Sequence, residues 1–118
     1  MSKTTQADFV AFCNEASKWL ERLGVVDYET CFKHVEEMDS VAGAEFHTQN
    51  RWAVLKLCKD WGDTLKNRYE VRKSAFHEVL ELLLGDLRTL CGTDNVGDDD
   101  ADREIHRVIR VMENVFFE

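Results

Sequence analysis

No proline occurs in the 118-residue chain, and it has no internal repeat, low-complexity tract or long apolar run. Nothing approaches the ~18 consecutive apolar residues of a membrane helix, so no membrane role is expected. The amino-terminal Met-Ser-Lys-Thr-Thr-Gln lacks the basic-then-apolar order of a secretory leader, and the expected location is cytoplasmic. The four cysteines (Cys13, Cys31, Cys58 and Cys91) are scattered without a Cys-x-x-Cys pair, so neither thiolate zinc binding nor dithiol redox work is indicated. Cys13 and Cys58 fall in apolar patterns, where a reduced thiol behaves as a small hydrophobe. A Gly-rich phosphate loop, a nucleophile elbow and a basic aromatic platform for single strands are also missing. Basic residues are outnumbered, 15 Lys and Arg against 23 Asp and Glu for a net charge of −8. That balance argues against nucleic acid, which needs clustered Lys and Arg, and suits solubility or a basic partner.

What is present is ordinary in amount, with 44% hydrophobic and 32% charged residues. A chain of this length reads as one domain, residues 1–118, that buries roughly two-thirds of its unfolded surface around a single core. Phe9, Phe12, Cys13, Ala16, Leu20 and Leu23 recur at helical spacing and predict an amphipathic helix over 5–23. Thr5 and Asp8 form a capping-box pattern, and Gly24 supplies the stop. The period then shortens toward two. Val26, Tyr28, Thr30 and Phe32 predict a first strand, Ala44-Glu-Phe-His-Thr48 a second, and Arg51-Trp-Ala-Val-Leu-Lys-Leu-Cys58 a third, with a hairpin turn at Gln49-Asn50. The expectation is a three-stranded antiparallel sheet. Lys59 to Lys66 reads as a loop, and a second helix starts between Asn67 and Val71.

Around this second helix the apolar residues from Ala75 to Leu87 fill an arc of roughly 200°. Glu70, Ser74, His77, Glu78, Glu81 and Arg88 share the remaining stripe. His77 and Glu81 lie one turn apart on it, with Glu78 beside them. The pattern is one residue away from His-Glu-x-x-His, in which two imidazoles hold zinc and the glutamate serves a water. Cys91-Gly-Thr-Asp-Asn-Val-Gly97 ends that helix. Asp98-Asp-Asp-Ala-Asp102 then gives a last helix an acidic start that favours its dipole, without the spacing of a calcium loop. Ile105, Val108, Ile109, Met112 and Phe116 mark its buried face. His106 stands at one edge of that face near Asp102 and Glu113, with Glu104 at the other. The fold class is α+β: an amino-terminal helix, the small sheet, the motif-bearing helix and a carboxy-terminal helix.

The hairpin, the helix reading His77-Glu78-Val-Leu-Glu81-Leu-Leu-Leu and the terminal helix reading Glu104-Ile-His106-Arg-Val-Ile-Arg-Val-Met-Glu113 together resemble the small zincin-like predicted metallopeptidases of bacteriophages. The resemblance spans about residues 44–118. It implies a zinc hydrolase with a sheet edge lining a peptide groove. Carried over by position, it makes His77 the first zinc ligand and Glu78 the general base toward a metal-polarised water. Glu81 stands in place of the second histidine. The third ligand comes from the last helix, where His106 fits the pattern better than Glu104. A glutamate can ligate zinc but must be held by its surroundings, and two acids side by side favour a bound cation or else raise a pKa. His34 and His47, on the strands, are further candidates by residue type alone. The alternative is a non-catalytic acidic module that binds or inhibits a basic protein surface, or a chain that dimerises through Val115-Phe-Phe117.

Overall fold

Helix α1 (Gln6–Arg22) begins where the pattern places it. The Thr5 hydroxyl accepts from the Asp8 N–H, and the Asp8 carboxylate accepts from the Thr5 N–H, so two free helix-end donors are satisfied reciprocally. At the other end Gly24 turns to φ 72°, a left-handed conformation that costs glycine least. Helix α1 is preceded by a two-residue strand β1 (Ser2–Lys3), which pairs antiparallel with β5 (Asp60–Gly62). The segment expected as a loop therefore contributes a short strand. Three longer strands lie between: β2 (Glu29–Val35), β3 (Ala42–His47) and β4 (Trp52–Cys58). Helix α2 (Arg68–Leu83) follows, capped by the Asn67 side chain on the Glu70 N–H, and helix α3 (Asp98–Phe116) comes last. The computed structural model describes residues 2–85, 87–89 and 98–117, so the break expected at 91–97 lies outside the described residues.

The α+β class holds, but the sheet is mixed rather than antiparallel. Its order is β2-β4-β3, with β4 antiparallel to β3 and parallel to β2. The hairpin between β3 and β4 forms as expected, closed by Arg51 at φ 56°. The correction concerns β2, which does not pair with its neighbour in sequence. Residues 36–41 carry the chain across the end of the sheet, and β4 takes the place between. The physical reason lies in β4 itself: Ala53, Leu55, Leu57 and Cys58 are all buried, as a strand flanked on both sides requires, whereas β2 and β3 alternate with exposed positions.

Register aligns one face of the sheet in rows. Phe32, Leu55 and Ala44 form one row, and Thr30, Ala53 and Phe46 another. Helices α1 and α2 cover this face. Phe12, Ala16 and Trp19 of α1 meet Val71, Ala75, Phe76 and Val79 of α2 over Leu55 and Leu57, and Ile105 and Ile109 of α3 close the same cluster. Burying each such large apolar side chain contributes about 1.5–3 kcal/mol. Gly85 lets the end of α2 approach the sheet, since a Cβ there would stand 2.6 Å from the Phe46 ring. The consequence for function is positional. Strand β3 is an edge strand, α2 packs against it, and α3 packs against α2.

Candidate metal centre

The polar stripe of α2 opens on the cleft between β3 and α3. This cleft holds about 500 Å³ and is lined by Val41 to Ala44 of β3 and its approach, by Lys73, His77, Glu78 and Glu81 of α2, and by His106 and Glu113 of α3. The helical repeat brings His77 and Glu81 together on one element, and the docking of Ile105 and Ile109 in the core brings His106 to them from another.

Hydrogen bonds fix how the two imidazoles face. The Nδ1 of His77 lies 3.1 Å from Oε2 of Glu113, which is 8% exposed. A carboxylate only accepts, so His77 donates from Nδ1, and in the neutral ring Nε2 is the nitrogen that carries the lone pair. The Nδ1 of His106 lies 2.9 Å from the Asp102 backbone oxygen, which likewise leaves Nε2 as the lone-pair nitrogen of the neutral ring. Both Nε2 atoms converge on one oxygen: Glu81 Oε1 stands 3.8 Å from His77 Nε2 and 3.3 Å from His106 Nε2. The three groups offer ligand atoms that all lie within 4.8 Å of one another, and together they could hold a metal ion. Ligand bonds of about 2.0–2.2 Å in a tetrahedron set ligand atoms a little over 3 Å apart, so the two Glu81 distances stand near that spacing and the group as a whole would draw together on a metal. The donor set, two imidazoles and a carboxylate, suits zinc and other first-row divalent ions alike.

The surroundings are strongly acidic. Burial disfavours the imidazolium of His77, but the Glu113 hydrogen bond and the charges of Glu78, Glu113 and Glu81 outweigh it and raise its pKa above the ordinary histidine value. Glu78 is 7% exposed and has no hydrogen-bond partner among the described residues. Burial pushes its carboxyl up to about 7, with His77 opposing and Glu81 and Glu113 adding to the rise. A cluster of three acids, Glu78, Glu81 and Glu113, around two imidazoles is an arrangement that a divalent cation would relieve, in addition to the Arg88 guanidinium that already meets Glu81.

Several sequence expectations are separated here. Glu104 is exposed and paired with Arg107 at 2.6 Å, away from the cluster, so His106 is the α3 member of the group. His34 stacks on Phe9 and meets the Thr4 hydroxyl at 2.6 Å, and His47 stacks on Trp52; neither lines the cleft. Glu113, expected beside His106, instead supports His77. Its place seven residues beyond His106, on the same helical face, is the signal that it belongs to the site. Arg88, known only as part of the polar stripe, turns out to bind Glu81. No protein-family model, curated protein or solved structure matches this chain, so the resemblance to zincin-like peptidases rests on these two helices and their His77, Glu81 and His106 group. None of the described helices is long and apolar enough to cross a membrane.

Proposed function

We propose that the protein is a zinc-dependent peptidase of zincin-like design, with His77, Glu81 and His106 as the metal ligands and Glu78 as the general base. The observation that carries this reading is the convergence of two imidazole Nε2 atoms on one carboxylate oxygen, in a cleft that also contains a buried glutamate with no hydrogen-bond partner among the described residues. Zinc held there would polarise a scissile carbonyl and a water, leaving a fourth position open. The chain's own residues supply the rest. Glu113 holds the His77 ring by its Nδ1, which sets the direction of Nε2 and raises its basicity as a ligand. Glu78, on the next residue of the helix, takes the proton of the attacking water and returns it to the leaving amine. The free edge of β3, whose residues Ala42 to Ala44 line the cleft, offers backbone groups with which an extended peptide pairs across the site.

The test is hydrolysis of an unstructured protein such as reduced casein, with zinc and with chelator. The wild type is expected to cut only with zinc. Glu78→Gln is expected to keep its zinc and lose about 10²- to 10⁴-fold in rate. Equal hydrolysis by the variant would remove Glu78 from the mechanism. A wild type that cuts nothing but binds a basic protein in a salt-sensitive way would favour the non-catalytic acidic module instead.

A further inference from the structure

Two of the three ligands are aimed by hydrogen bonds to their own rings. The third cannot be. Glu81 stands where zinc peptidases of the His-Glu-x-x-His type use imidazole, and a glutamate has more rotatable bonds and two equivalent oxygens. It presents a fixed oxygen to a metal only if the rest of the carboxylate is held. Arg88, seven residues on, stands at this carboxylate. Its Nη2 lies 3.2 Å from Glu81 Oε2 and 3.4 Å from Oε1, while its Nη1 donates to Asp102 Oδ1 at 2.5 Å.

The remaining link runs through Asp102. Its backbone oxygen accepts from His106 Nδ1 at 2.9 Å, so the residue that holds one end of Arg88 also orients the third ligand. One guanidinium therefore ties Glu81 on α2 to the turn of α3 that sets His106. The planar fork of arginine suits this, because its two nitrogens reach two different carboxylates in a fixed relation. A lysine ammonium is a point charge and would reach one of them.

We infer that Arg88 is the positioning residue that lets a glutamate replace the second histidine of the metal centre, by holding Glu81 with Oε1 turned toward His77 and His106. The inference rests on the metal-centre reading. It separates Arg88 from an ordinary surface ion pair, which would fasten α3 to α2 and do nothing to the metal.

The experiment is zinc affinity, measured by competition with a chromophoric chelator, for the wild type, Arg88→Met, Arg88→Lys and Asp102→Asn. Cobalt absorption spectra and thermal unfolding in chelator accompany each. Arg88→Met is expected to bind zinc about 10- to 100-fold more weakly and to change the cobalt spectrum, the usual effect of losing a group that orients a ligand. Arg88→Lys is expected to recover part of the affinity. Asp102→Asn leaves the bond to Glu81 in place and is expected to lose less than Arg88→Met. If Arg88→Met lowers the metal-free unfolding temperature but leaves zinc affinity and cobalt spectrum unchanged, Arg88 is only a staple and the inference is wrong. Tighter zinc binding by Arg88→Met would make it a competitor for Glu81, which also overturns it. No zinc uptake by the wild type defeats the centre itself, and this inference with it.

Discussion

Glu15 on α1 and Glu78 on α2 are equally hidden, each 7% exposed, yet their carboxyls move in opposite directions. Burial pushes both up. Around Glu15 three donors outweigh it: the Lys18 ammonium at 2.8 Å, Arg72 Nε at 2.9 Å and the Trp19 indole N–H at 2.6 Å, and its pKa falls below the ordinary value. Around Glu78 no hydrogen-bond donor stands among the described residues, two further acids are near, and its carboxyl rises to about 7. The interface of α1 with α2 treats a buried acid as structure and satisfies it. The cleft between α2 and α3 holds one beside further acids, with its carboxyl opening on the cleft, and an acid with a raised pKa in a cleft is a mark of sites kept for chemistry.

The comparison is broken or sharpened first by pH. Between about 4.5 and about 7 the folded state keeps a proton on Glu78 that the unfolded chain has released, so this group's contribution to stability falls as pH rises through that window. In metal-free protein the full effect is of the order of 3 kcal/mol. Glu78→Gln, which stays neutral, is therefore expected to match the wild type at about pH 4 and to exceed it by about that amount at about pH 8. Urea unfolding in chelator across the range measures it, and parallel curves for the two proteins would show that Glu78 is solvated. Glu15 has the opposite sign: its stabilisation is present above the ordinary carboxyl range and is lost as pH falls. A smaller effect is expected from Glu15→Ala, about 2 kcal/mol, because it strands the buried Trp19 N–H and removes the acceptor shared by Lys18 and Arg72. Its zinc content should be unchanged. If Glu15→Ala lost zinc as readily as a ligand variant, the two regions would not be independent.

How legible this was depends on the range of the interaction. Capping of α1 by Thr5 and Asp8, the start of α2 at Asn67 and the facing of His77 with Glu81 are local, set by helical spacing and free backbone groups, and they can be read directly. The place of β2 cannot be read that way, because adjacency in sequence favours pairing with β3, and only the apolar character of Ala53 to Cys58, interrupted at Lys56 alone, hints that β4 lies in the middle. His106 was nameable because it belongs to an amphipathic helix, but its choice over Glu104 depends on how α3 docks through Ile105 and Ile109. Glu113 and Arg88 were visible as polar residues. Their partners, His77 across a helix pair and Glu81 beyond a helix end, follow from tertiary packing that spacing does not encode.

The most direct test of the central claim is the metal content of protein purified without added metal or a His-rich tag, beside a His77→Ala control. The metal-centre account predicts about one equivalent of zinc per chain, lost in the control, since three protein ligands and one open position hold a single ion. Absence of metal in both proteins, with no uptake when zinc is supplied, would contradict it.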